Sequence, residues 1–216
     1  AVDCSFCATG KQGFSRNLEL SEIIGQLWVA ENSFGVPRDH ANKKVTNVVM
    51  MGMGEPLLNF EAVTGAMSMM MDDKAYGLSK RKVTLSTSGL VPLIDKLSEV
   101  TDAALTISLH APNDQLRNDL VPINKKYPIK KLLESVIRYV EKCGDSRKTT
   151  IEYILIDKVN DSIENAYELC KLLKMLPCKI NLIPFNPFPG SSYKRPSSMR
   201  IQTFKKILQK EGYITT

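Results

Sequence analysis

Val45-Thr46-Asn47-Val48-Val49-Met50-Met51-Gly52-Met53-Gly54-Glu55-Pro56 joins an apolar run to a glycine-rich turn, and from Phe60 an amphipathic stretch follows. The apolar run lacks strict alternation, so Val45 to Met51 is predicted to be a strand buried on both faces. Phe60, Val63, Ala66, Met67 and Met70 fall on one face of a helix. The unit strand, turn, helix then recurs downstream. Lys82 to Ser86 is a strand ended by Ser88-Gly89, with a brief helix from Pro92 to Leu97. Ala103 to Leu109 is a strand, and a polar loop with Pro112 and Pro122 leads to a helix through Leu132, Leu133, Val136, Ile137 and Val140. Thr150 to Ile156 is a strand, followed by a helix with Ile163, Ala166, Leu169, Cys170 and Leu173 on its apolar face. Lys179 to Ile183 is the last strand. Beyond the Pro/Gly/Ser-rich loop Pro184 to Pro196, a helix carries Ile201, Phe204, Ile207 and Leu208 before Gly212.

Upstream, Leu20, Ile23, Ile24, Leu27 and Trp28 mark one more helix, with Ser21 placed to cap it. Five strand–helix alternations with a helix in front imply parallel βαβ units joined by right-handed crossovers. With a strand preceding that first helix, the pattern becomes six βα units. The expected fold is α/β: a partial, open (βα)6 TIM-like barrel of parallel strands, its first strand missing from the chain. No internal repeat, low-complexity tract or domain boundary is evident, so residues 1–216 read as one core domain.

The 216 residues are 43% hydrophobic and 24% charged, ordinary for a soluble globular protein. No apolar run approaches a membrane span, and the polar, cysteine-bearing start is no secretory signal. Five scattered cysteines suit a reducing compartment, so a cytoplasmic location is expected. The net charge of +6 and pI near 9.0 suggest an anionic partner, nucleic acid among them.

In parallel α/β sheets, ligands bind at the carboxyl ends of the strands, where this chain collects its unusual residues. They are Gly54 and Glu55 after the first strand, Ser86 on the second, Ser108, Leu109 and His110 on the third, and Asn186 after the last. Glycine lets a backbone approach a ligand closely. Glu55 offers an acceptor suited to an ammonium group. The hydroxyl, imidazole and amide groups of the others suit ribose and carboxylate recognition. Near the start, Cys4 and Cys7 flank Ser5-Phe6, a spacing used by both zinc and iron–sulfur sites. No second Cys or His pair completes a zinc site. Cys143, Cys170 and Cys178, like Met67 and Met70, are expected to be packing residues. Met50, Met51 and Met53 could shield a cofactor, although core filling explains the first two equally well.

Cys4-Ser5-Phe6-Cys7 together with Gly52-Met53-Gly54-Glu55-Pro56 resembles the radical S-adenosylmethionine superfamily. Four further stretches are similar to its RlmN-type branch of RNA adenine-C2 methyltransferases. These are Gln12 to Leu18, Val48 to Asn59, Thr84 to Gly89 and Ser108 to Asn113, and Cys178 to Gly190 continues the match. The resemblance implies that Cys4 and Cys7 are two of three ligands of a [4Fe–4S] cluster, whose first cysteine would fall just before Ala1. It implies that Gly54, Glu55, Ser86, Ser108, Leu109, His110 and Asn186 bind S-adenosylmethionine. By the same resemblance, C2 of adenine in 23S rRNA and tRNA is methylated through a methyl-cysteine intermediate. The methyl-carrying and resolving cysteines, an N-terminal accessory domain and a C-terminal segment would lie outside these residues, leaving no catalytic residue here. The isolated stretch is therefore expected not to turn over.

The implied partners are those RNAs and an electron donor such as flavodoxin or ferredoxin, with no membrane and a monomeric state. The clusters Lys80-Arg81-Lys82, Lys125-Lys126-Tyr127 and Lys194-Arg195, with Lys11 and Arg16, would form an RNA-facing rim. Two alternatives stand beside this reading. One is Cfr-like methylation at C8 of the ribosomal adenine; the other is a non-catalytic RNA-binding module with a structural metal.

Overall fold

A computed structural model of the chain describes residues 2–35, 44–51, 53–144 and 147–216. Five strands, β1 (Val48–Met50), β2 (Val83–Thr87), β3 (Ala104–Ser108), β4 (Thr149–Leu155) and β5 (Cys178–Pro184), pair in sequence order. Every pairing is parallel. Among the described residues seven α-helices accompany them: α1 (Leu20–Ser33), α2 (Phe60–Met71), α3 (Val91–Val100), α4 (Asp114–Leu120), α5 (Ile129–Cys143), α6 (Ile163–Leu173) and α7 (Ser198–Lys210). The result is an open parallel α/β sheet, as the alternation of patterns implied.

The two faces of the sheet differ in chemistry. Outward-facing Val83, Leu85, Leu105, Ile107, Ile151, Tyr153, Cys178 and Ile180 are all at most 5% exposed and pack beneath the helices. Register aligns the opposite set in rows: Ser86, Thr106, Thr150 and Lys179 in one, Ser108, Glu152 and Asn181 in the next. Of these, Thr106, Thr150, Glu152 and Lys179 line a cavity of about 520 Å³. The sheet therefore alternates in polarity, unlike the uniformly apolar strands of a sheet covered by helices on both sides.

This two-sidedness corrects the reading of the first strand. Only Val48–Met50 is extended and paired; Val49 and Met51 are 49% and 50% exposed because they face the cavity. Met53 is 88% exposed, and Gly52 lies outside the described residues. In α1, Ile23 and Leu27 are buried while Trp28 is 61% exposed. Glu19, not Ser21, caps that helix, and the Glu22 carboxylate accepts from the Glu19 amide at 2.8 Å. The expected core faces of α2, α5 and α7 are buried as read, except that Ile137 and Val140 of α5 and Ile201 and Ile207 of α7 are partly buried. The polar loop between Pro112 and Pro122 contains α4, whose cap is Asn113; its side-chain oxygen accepts from the Leu116 amide at 3.0 Å. Seven residues are too few to show a helical period.

Past α7 the chain returns to the sheet. Ile180 N donates to Ile214 O at 2.9 Å, and Thr216 N donates to Ile180 O at 3.0 Å. Residues 214–216 therefore begin to extend the sheet beyond β5.

Gly89 ends β2 at φ +107°, and a Cβ there would stand 3.0 Å from both δ-methyl carbons of Leu132 in α5. Backbone strain and overlap act together, so Gly89→Ala should cost about 1–3 kcal/mol. Urea unfolding measures this; an unchanged midpoint would show that neither constraint operates.

Candidate functional site

The carboxyl ends of the strands form a rim, onto which the Cys4–Cys7 loop folds. Ser5 N donates to Leu120 O at 3.1 Å, and the Ser5 hydroxyl lies 3.0 Å from the Tyr193 hydroxyl. Lys11 Nζ donates to Gly190 O at 2.9 Å. Phe6 meets the His110 ring edge-on, with centroids 4.7 Å apart. Below the loop, Ala111, Leu120, Val121, Ile154, Ile156 and Phe185 make a small core of their own, against which Cys4 and Phe6 pack. The loop is thus held by strand ends from across the sheet.

Within the loop, Cys7 N donates to Cys4 O at 3.1 Å, and Gly10 N donates to Cys7 Sγ at 3.3 Å. A sulfur that accepts an amide proton is suited to carry negative charge. Burial, with the neighbouring Cys7, pushes the Cys4 thiol up to about 11. Holding the Cys4 sulfur as a thiolate therefore calls for a cationic centre, which is what a metal cluster supplies. Among the described residues no group of three or more His, Cys, Asp or Glu could hold a metal. The two thiols fit part of a ligand set, not a whole one.

Gly54 turns the chain after β1 at φ +103°, a region glycine reaches without strain. This turn delivers Glu55 beneath the rim, 6% exposed. Its two oxygens accept from Leu57 N at 3.1 Å and Ser88 N at 2.7 Å, tying β1 to β2. Burial raises its pKa, and those amides oppose the rise. Ser86 is buried and Ser108 half-buried on the inward face. The Leu109 side chain is fully buried; its amide donates to Glu152 O at 3.1 Å and its carbonyl accepts from Arg117.

His110 adopts φ +63°, a strained conformation for a non-glycine residue. Its Nδ1 accepts from Ile154 N at 3.1 Å, which assigns the proton to Nε2. Burial, reinforced by Arg117, lowers its pKa to about 3, so the ring is neutral near pH 7. Asn160 supports the turn, donating to His110 O at 2.8 Å. Asn186 is exposed after β5, where its oxygen accepts from Arg195 at 2.9 Å. Gly54, Glu55, Ser86, Ser108, Leu109 and His110 thus lie at the ends of β1 to β3, and Asn186 follows β5 in the loop whose Gly190 and Tyr193 meet Lys11 and Ser5. The basic clusters do not share one rim. Lys80-Arg81-Lys82 precedes β2 at the amino ends, opposite this site, and Lys80 pairs with Asp102.

Arg117, Glu152, Asn160 and Tyr193 escaped the sequence reading. Arg117 is 0% exposed. Its guanidinium donates to Leu109 O (3.0 Å), Ser88 O (2.7 Å), Ser108 O (3.2 Å) and Asn124 Oδ1 (2.8 Å). Replacing it by methionine leaves those acceptors buried and unpaired. Arg117→Met should lose at least about 3 kcal/mol, and Arg117→Lys should recover only part, since an ammonium cannot span the same fork. Denaturant titration reads both; a methionine variant of wild-type stability would show that the clamp is idle.

The comparisons agree with this architecture. The Radical SAM superfamily family model matches residues 1–170. The chain is 62% identical over 216 residues to the dual-specificity RNA methyltransferase RlmN of Marinobacter nauticus, covering 100% of this chain and 58% of that protein. To the RlmN of Pseudomonas fluorescens it is 59% identical, covering 100% of this chain and 56% of the relative. The chain thus spans a little over half the length of the curated relatives it matches. Among solved structures, a radical SAM methyltransferase from Sphaerobacter thermophilus matches with TM-score 0.91 and 46% identity, over 100% of this chain and 62% of that one. Streptococcus suis SuiB bound to S-adenosylmethionine, at 16% identity and TM-score 0.68 over 99% of this chain and 47% of that one, shares the fold. A two-thiol loop docked on the rim of an open parallel sheet, and a family match over most of the residues, together place the chain in the radical SAM superfamily.

Proposed function

We propose that this chain is the core of a radical SAM RNA methyltransferase of the RlmN type, which methylates C2 of adenine in 23S rRNA and tRNA. The observation that carries the reading is the Cys4–Cys7 loop seated by Phe6 on His110, with Ser88, Glu55 and Arg117 near Cys4. High identity to proteins named as dual-specificity RNA methyltransferases supports RNA as the substrate class.

In this reading Cys4 and Cys7 hold a [4Fe–4S] cluster, with a further thiolate supplied elsewhere in the protein. Bound together, the cluster and S-adenosylmethionine supply the one-electron chemistry that an electron-poor C2 requires, where polar methyl transfer fails. The chain's own residues bind and shield. Glu55 receives the ammonium of S-adenosylmethionine, and Ser86 and Ser108 face its ribose. Neutral His110 offers its Nε2 proton as a donor without adding charge. Gly10 N steadies the Cys7 sulfur. Phe6, Phe185 and Phe188 keep water from the sulfur side of the loop. The partners are the two RNAs and a small electron donor of the flavodoxin or ferredoxin class. We place the protein in the cytoplasm as a monomer; no helix among the described residues is long and apolar enough to cross a membrane.

The decisive experiment reconstitutes the full-length protein with iron and sulfide under anaerobic conditions. Cluster absorbance, reductive cleavage of S-adenosylmethionine and 2-methyladenosine in digested RNA are expected. Methylation at C8 would move the assignment to the Cfr type; an iron-free protein that leaves the cofactor intact would leave only an RNA-binding module.

Glu55→Ala in that protein should weaken S-adenosylmethionine binding by about tenfold or more, since a charge-assisted hydrogen bond is lost. Calorimetric titration with iron content held constant tests this, and unchanged affinity would remove Glu55 from the cofactor site.

A further inference from the structure

Glu152 stands where the rim meets the cavity. It lies on the inward face of β4, in register with Ser108 on one side and Asn181 on the other, and is 6% exposed. Ser108 Oγ donates to Glu152 Oε2 at 3.2 Å. Burial raises the Glu152 pKa, and hydrogen bonding by the Ser108, Ser86 and Asn181 side chains opposes the rise. Arg81, Arg147, Lys148 and Lys179 line the cavity below, where Glu152 is the one carboxylate among the described lining residues.

A structural role alone explains this residue poorly. The outward face of the sheet supplies the packing, and an apolar side chain on the inward face would avoid the desolvation that a buried carboxylate incurs. What Glu152 does instead is dictate the direction of hydroxyl protons. A serine hydroxyl has one proton and two lone pairs, and an ionised carboxylate can only accept. A serine that gives its proton to Glu152 therefore presents only lone pairs to a ligand.

We infer that Glu152 is a positioning residue: by accepting the hydroxyl proton of Ser108 it turns that serine into an acceptor at the rim, selecting ligand groups that donate. This rests on the proposed function, and the donors it selects are the ribose hydroxyls of S-adenosylmethionine. The backbone of Glu152 also receives the Leu109 and His110 amides, at 3.1 and 3.2 Å, but that contact survives a side-chain substitution. The variant therefore isolates the effect of the carboxylate.

The test measures dissociation constants of S-adenosylmethionine and of its 2′-deoxy and 3′-deoxy analogues, using the full-length, anaerobically reconstituted protein. The wild type should bind at least one analogue about tenfold more weakly, the cost of leaving a committed acceptor unpaired. In Glu152→Gln, whose amide can donate to Ser108, that ratio should fall towards one while iron content and the thermal midpoint hold. A loss of affinity that is equal for all three ligands would mark Glu152 as merely structural and overturn the inference. So would an unchanged ratio, or a wild type that ignores both deletions. A wild-type protein that does not bind S-adenosylmethionine at all refutes the proposed function itself, a separate outcome. Should Glu152→Gln not fold, Ser108→Ala read by the same ratio decides: a collapsed ratio supports the inference and an undiminished one overturns it.

Discussion

The buried guanidinium of Arg117 is the constraint on which the candidate site rests. A parallel sheet leaves its carboxyl ends open, and at β2 and β3 those ends must diverge into ligand-facing turns. Ser88 O, Ser108 O and Leu109 O then point where no further strand pairing can meet them. One planar cation with five donors satisfies all three and still reaches Asn124. Desolvating that charge is costly, and burial lowers its pKa to about 10, yet it stays protonated near neutrality. Hydrogen bonds to a charged donor offset the cost. The same charge lies near Cys4 and opposes the rise in its pKa, so the clamp that shapes the rim also favours the thiolate.

From this clamp the site is built by relays of backbone and side chain. Glu55 joins the turn after β1 to the end of β2. Arg117 joins β2 to β3. Glu152 joins β3 to β4, Asn160 joins the turn after β3 to the loop after β4, and Tyr193 brings the loop after β5 against Ser5. Strain at His110 is tolerated because three sets of contacts hold it: its ring nitrogen, its carbonyl and the Phe6 face. A pocket assembled this way is fixed before a ligand arrives, which lowers the ordering cost of binding.

Much of this was legible in the residues. Helical spacing located α2, α5 and α7 with their buried faces, and β-forming runs bounded by glycine and proline located β2 to β5. Glu55, Ser86, Ser108 and His110 stood out because unusual polar residues at strand ends have few structural uses. Other features were hidden for physical reasons. α4 is too short for periodicity. Val49 and Trp28 look like core residues, and only the neighbours of an element decide which of its faces is covered. Arg117 reads as one of many solvated cations, since nothing local announces that it is buried. Glu152 reads as the polar interruption of a strand.

Sequence alone determined the order of the elements, the parallel sheet that such alternation forces, and the two-cysteine motif with its glycine–glutamate partner. These follow from local rules: residue periodicity, turn chemistry and the sulfur spacing a metal requires. Tertiary structure alone decided which polar groups meet. Arg117 finds carbonyls 8, 9 and 29 residues away, and Glu152 finds Ser108 at a separation of 44, because register across parallel strands brings them together. Burial turns an ordinary charge into an organising one, and burial is a property of the folded chain rather than of any segment of it.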